Sequence, residues 1–224
     1  MEAAKKRRWF HRQPESPTGT VEEGTSLAVM APPESEPTVR ADFEGMLSRL
    51  TDYVRVQVRS GAYDVSALRD LTLDAAGSET DDPQRADELA RQVLFAELQS
   101  WQADADGWVG RTDTDRLDAA LDRLAAEGVL VFAALGDSSA VAESMRIRGG
   151  AHGCVSYLVA DIWRALDTND LVLTVLNNDG SAAARRSPLV TRLVDLLADE
   201  GLLASAPASG QGVVVSINWR RRPS

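Results

Sequence analysis

The stretch Trp108–Leu135, WVGRTDTDRLDAALDRLAAEGVLVFAAL, constrains the fold more than any other in the chain. Thr112 with Asp115 three residues on has the spacing of a capping box, Asp standing in for the usual Glu or Gln. Asp113 and Asp115 add negative charge at the positive end of the helix that follows. Leu117, Ala120, Leu121 and Leu124 recur at helical spacing, while Arg116, Asp118, Asp122, Arg123 and Glu127 share the opposite face. Gly128 stands where a left-handed C-terminal residue is wanted. Val129–Leu135 carries no charge, which predicts a strand covered on both faces. Burial of each leucine stabilises by roughly 1.5–3 kcal/mol, so the apolar stripe outweighs the charged face.

Similar signals recur on either side. Phe43, Met46, Leu47, Leu50, Tyr53, Val54 and Val58 form a helical stripe that ends before Gly61. Asp64 caps a short helix through Val65, Leu68 and Leu71, and Gly77–Asp82 is a polar loop. Asp82-Pro83 opens a further helix through Leu89, Val93, Leu94, Leu98 and Trp101. Beyond Leu135, the spacing predicts a helix over Asp137–Arg148, strands over Cys154–Ala160 and Leu171–Leu176, and a helical turn at Asp161–Leu166 between them. Asn177-Asn178-Asp179-Gly180 is turn chemistry. Ser187-Pro188 opens a helix with Leu189, Leu193, Leu196 and Leu197 on one face, and Val213–Trp219 is the last strand. The expected fold is α+β, with N-terminal helices followed by a roughly four-stranded mixed sheet flanked by helices. Residues 1–38, with five prolines among Ser, Thr, Gly and Glu, have the composition of a disordered basic tail. Residues 39–222 are expected to form one domain, helical over 39–127 and sheet-forming over 128–222.

Charge narrows the partners. The chain carries −10 overall, yet Lys5, Lys6, Arg7, Arg8 and Arg12 stand against Glu2 alone in the first twelve residues, so the remainder carries −14. Such a body repels nucleic acid and anionic lipid, which only the N-terminal arm could attract. Arg220–Arg222 is a second small basic cluster, expected to be a solvated terminus. Arg7-Arg8-Trp9-Phe10 resembles a twin-arginine export signal, but the polar run Gln13–Gly24 follows where an apolar segment is required. No apolar run is long enough to cross a bilayer. The lone cysteine, Cys154, excludes an internal disulfide and fits a reducing cytoplasm.

Few residues point to chemistry. Gln102–Asp113 can be laid on a calcium loop, with Asp104 and Asp106 at the third and fifth ligand positions and Asp113 at the twelfth. Gln102 at the first position departs from that pattern, and an Asp- and Gly-rich connector has the same composition. His152 and Cys154 fall two apart on a predicted strand and so share a side. They form either a thiol–imidazole pair or a small buried cysteine beside a strand entrance. Asp113, Asp115, Asp118 and Asp122 belong to a solvated helix face rather than a magnesium cluster. A small ligand or substrate would find polar groups at strand ends, at His152, Cys154, Asp161, Asn177 and Asp179. No cofactor is implied, and the better reading is a non-enzymatic interaction or regulatory module with a protein partner.

Trp108, the run Thr112-Asp113-Thr114-Asp115-Arg116-Leu117-Asp118, Leu121, Leu124 and Gly128-Val129 resemble an uncharacterised domain family common in actinobacteria. Gly201-Leu202, Val215 and Trp219-Arg220-Arg221-Arg222 are similar to the family's C-terminus, and the likeness spans roughly residues 41–222. The family has no assigned activity, so the resemblance implies a fold and a lineage. Relatives carry clustered cysteines just after the strand equivalent to Val129–Leu135, and His, Gln and Asp near Leu158-Val159-Ala160-Asp161. Ala133–Glu143 has no cysteine here, so a metal or redox site among relatives is not carried over.

Overall fold

A computed structural model describes residues 36–139, 141, 152–208 and 212–223. Four helices come first: α1 (Glu36–Ser60), α2 (Val65–Glu79), α3 (Pro83–Asp106) and α4 (Asp113–Ala126). β1 (Leu130–Leu135), β2 (Cys154–Leu158), α5 (Val159–Thr168), β3 (Asp170–Leu176), α6 (Pro188–Asp199), β4 (Leu203–Ser205) and β5 (Val213–Ser216) follow. The fold is α+β as expected. No helix among the described residues is long and apolar enough to cross a membrane. The tail over residues 1–35 and most of the helix expected over Asp137–Arg148 lie outside the described residues; α1 begins at Glu36.

The helices start where side chains satisfy the first free N–H groups. Thr112 accepts from Asp115 N while the Asp115 carboxylate accepts from Thr112 N at 2.7 Å, which completes the capping box. Asp64 accepts from Ala67 N at 2.8 Å, Asp82 from Gln84 N at 3.0 Å, and Ser187 from Val190 N at 3.3 Å. α2 continues through Gly77 to Glu79, two turns beyond the expected helix, because buried Thr72 and Ala76 extend its apolar face.

The sheet has five strands, in the order β1-β2-β3-β5-β4, rather than about four. β1 runs parallel to β2, and the remaining pairs are antiparallel. β4 escapes the sequence pattern because it is three residues long and Leu203 is exposed. β1 is not covered on both faces: it is an edge strand, its residues half-buried or exposed, with a register shift between Phe132 and Leu135 where Ala134 takes φ +53°. β2 stops at Leu158 and α5 begins at once, because the Asp161 carboxylate accepts from Leu158 N at 2.9 Å and caps a ten-residue helix. β5 ends at Ser216, three residues early, and its continuation is held instead by Ile217 N donating to Asn169 O at 2.8 Å.

Two apolar cores result. One lies between the sheet and α4–α6 and includes Leu117, Leu124, Tyr157, Leu171, Leu193 and Trp219. The other lies among α1–α3 and includes Leu50, Val54, Val58, Leu89 and Trp101. α5 packs on α1 and so brings the two together. The chain's last residues run along the seam.

Candidate functional site

After β5, the segment Asn218–Arg222 crosses from the sheet core to the helical core, and its backbone is tied at three of its five residues. Asn218 N donates to the Asp113 carboxylate at 3.0 Å, the Thr114 hydroxyl donates to Arg220 O, and Trp101 Nε1 donates to Arg221 O at 2.8 Å. Trp219 is buried, donates from Nε1 to Ser60 O at 3.2 Å, and meets the Tyr157 ring edge-on with centroids 6.1 Å apart. Arg221 bonds Asp118 at 2.9 Å and lies over the Trp219 ring at 5.6 Å. Arg222 reaches Asp115 at 3.3 Å and the carbonyls of Trp108 and Gly110. Gly61, at φ +61°, lets the strap pass: a Cβ there would lie 2.5 Å from Arg221 Cδ.

This strap walls a cleft of about 430 Å³ with Arg59 of α1, Trp101 and Asp104 of α3, Trp108 beyond α3, and Leu166 of α5. A smaller hollow of about 110 Å³ adjoins it, bordered by Val109, Arg111, Thr112 and Asp113. Trp108, Asn218 and Arg220 line both, so they form the divider between them. Most polar groups here have partners: Arg59 holds Asp104 and Ser100, Arg111 holds Glu200, and Arg116 holds Asp113. The three divider residues differ. The Trp108 indole N–H, the Asn218 carboxamide and the Arg220 guanidinium have no hydrogen-bond or ion-pair partner among the described residues; Arg220 only lies over the Trp108 ring at 6.0 Å. Asn218 and Arg220 are exposed and Trp108 is half-buried, whereas Arg59 Nε is buried without an acceptor.

Burial pushes the neighbouring Tyr157 phenol up to about 12, against the opposing effect of Arg221, so it stays protonated at neutral pH. Burial also pushes the Asp115 carboxyl upward, but hydrogen bonds from Thr112 and the charges of Arg222 and Arg111 outweigh it and hold the group below its ordinary value. The acidic face of α4 is thus not merely solvated: Asp113, Asp115 and Asp118 receive the strap. Arg220–Arg222 is correspondingly no free terminus, since Arg221 and Arg222 are both paired.

The strand-end residues singled out in the sequence do not meet in one place. His152 is exposed before β2 and its N–H donates to Gly128 O at 3.1 Å. Cys154 is fully buried, and burial pushes its thiol up to about 11. β2 begins only at Cys154, so His152 lies outside the strand, and Gly153 between them takes φ +144°. Asn177 and Asp179 lie in the turn after β3, close to the Cys154 end of the sheet because Cys154 pairs with Leu176. Both serve that turn: Asn177 donates to Ser181 Oγ at 2.9 Å, and hydrogen bonds from Ser181 hold the Asp179 carboxyl below its usual range. Asp161 sits past the other end of β2, where it caps α5 and pairs with Arg164. Half of the window laid on a calcium loop is helical: α3 runs through Asp106, Asp104 is held by Arg59 and Asp106 by Gln102, and Asp113 begins α4. No group of three or more His, Cys, Asp or Glu converges among the described residues. Elsewhere, Leu73 and the exposed Phe95 border an apolar hollow of about 180 Å³ between α2 and α3.

The cleft residues Trp101, Trp108, Asn218 and Trp219 were not among the candidates. A signal existed in the three tryptophans and the adjacent Trp219-Arg220, an aromatic–guanidinium pairing typical of binding surfaces. No curated protein and no solved structure matches the chain. Residues 44–223 match the family described as Domain of unknown function (DUF6891), and the chain belongs to it.

Proposed function

We propose that this member of the family is a non-enzymatic binding module whose C-terminal cleft receives an anionic group from its ligand or partner. The observation that carries the reading is the divider, where an indole N–H, a carboxamide and a guanidinium lie together with no acceptor among the described residues. All three donate hydrogen bonds, and with Asn218 and Arg220 exposed a carboxylate or phosphate can replace the water there with charge-assisted bonds. Of the four arginines that line the two hollows, Arg59, Arg111 and Arg221 are paired with Asp104, Glu200 and Asp118, which leaves Arg220 as the lining guanidinium open to an anion. The residues lining both hollows include no Ser, Cys, His, Lys or Tyr, and the Thr112 hydroxyl is committed to its cap. That absence among the described residues supports binding over nucleophilic chemistry. A single buried thiol is in keeping with a cytoplasmic setting.

Titration of the 15N-labelled full chain with sodium acetate and with inorganic phosphate tests the reading. The Trp108 indole and Asn218 carboxamide signals are expected to shift, and Arg220→Gln is expected to remove the response. Shifts elsewhere, or shifts indifferent to Arg220→Gln, would refute it.

A further inference from the structure

Resting on that reading, we infer that the cleft selects an anion carried on a flat aromatic ring system, such as an aromatic carboxylate or a nucleoside monophosphate. The chemistry of the walls and the room between them both favour such a ligand. Three of the chain's five tryptophans border the larger hollow, together with Leu166. Trp101 and Trp219 are buried and their N–H groups are tied to backbone carbonyls, so these two walls are fixed in place before anything binds. Fixed aromatic walls favour a planar apolar occupant, which stacks or meets them edge-on without ordering new side chains. At about 430 Å³ the larger hollow falls within the range of small-molecule sites.

The smaller hollow, about 110 Å³, is bordered mainly by polar and charged side chains, Arg111, Thr112 and Asp113 among them, so it suits a charged group better than an apolar ring. It has room for a carboxylate or phosphate, with Arg220 on the divider and Arg111 at its border. A ligand spanning the divider therefore sets its ring among the indoles and its charge beside Arg220. Neither half satisfies the cleft alone. The ring without the charge leaves the Arg220 guanidinium to water, and the charge without the ring leaves the indole walls wet.

The test compares the halves with the whole on the full chain, by NMR titration. The anion probes are acetate and inorganic phosphate, the ring probe is benzyl alcohol, and the two-part probes are indole-3-acetate and adenosine monophosphate. A two-part probe is expected to bind at least tenfold tighter than the bare anion of its own headgroup, and whichever of the two binds tighter identifies the headgroup. Trp108→Ala is expected to reduce that advantage to the level of the bare anion. Trp108→Phe, which keeps a ring and the bulk, is expected to retain it, and thermal unfolding of both variants reports whether the fold survives. If two-part probes bind no tighter than acetate or phosphate while those still respond to Arg220→Gln, the inference fails and the anion reading stands. If no probe shifts the divider signals, both fail.

Discussion

Replacing Trp219 tests how firmly the strap joins the two cores. Its side chain is 6 % exposed, packs edge-on against Tyr157, lies under Arg221, and donates to the carbonyl of fully buried Ser60. Truncating a buried Trp to Ala costs about 3–5 kcal/mol through lost contact and the cavity left behind. The orphaned Ser60 carbonyl puts this site in the upper half of that range, since an unsatisfied buried acceptor costs about 1–3 kcal/mol. For a chain of this size each kcal/mol lowers Tm by about 2–4 °C, so Trp219→Ala should melt about 8–20 °C lower. Trp219→Phe keeps one aromatic ring but loses the N–H and the rest of the bicycle, so it should cost less than the Ala variant and more than the orphaned carbonyl alone, about 1–3 kcal/mol. Urea and thermal unfolding followed by far-UV circular dichroism measure both, since fluorescence would change with the deleted indole. A loss under 1 kcal/mol for Trp219→Ala at unchanged m-value would show that the strap does not hold the seam.

Further outcomes follow from the same geometry. Because burial pushes the Cys154 thiol up to about 11, iodoacetamide should alkylate the native chain far more slowly than the urea-unfolded chain at pH 8; equal rates contradict the buried placement. Thr112→Ala should cost about 1 kcal/mol by breaking the capping box, measured as a urea midpoint shift. Asp115 has a folded-state pKa below its unfolded value, so its contribution is present above the unfolded pKa and is lost as pH falls through the folded one. Asp115→Asn should therefore lower stability at pH 7 and flatten its fall below the ordinary aspartate value of about 3.9, and a parallel acid limb would be inconsistent with that. Gly61→Ala should destabilise by more than about 1 kcal/mol, because it meets both a left-handed backbone and the Arg221 side chain; a neutral result would mean the strap gives way easily.

The parts of this fold legible in the sequence are those set by neighbours within a few residues. The caps at Asp64, Asp82, Thr112 and Ser187 each depend on an acceptor two or three positions from its donor, and all four form as their spacing requires. β3 is legible because Leu171, Leu173 and Val175 alternate with less buried neighbours. β1 misleads for a different reason. An uncharged run says nothing about how many strands pair with it, and that number is set by chain far away in sequence. The cleft is hidden on the same ground, more severely. Arg221 and Arg222 resemble a solvated end until Asp118 and Asp115, more than 100 positions earlier, come to meet them. His152 and Cys154 look like neighbours on one strand in the sequence, yet β2 begins only at Cys154, after Gly153 at φ +144°.

The account turns on Arg220 being the cleft arginine left without a carboxylate while Arg59, Arg221 and Arg222 are paired. Timed modification of the native chain with phenylglyoxal, read by peptide mass spectrometry, ranks those four guanidiniums directly. Arg220 should be modified first and should be protected by indole-3-acetate or adenosine monophosphate. Modification of Arg59, Arg221 or Arg222 at the same rate or faster would contradict the arrangement on which the proposed site depends.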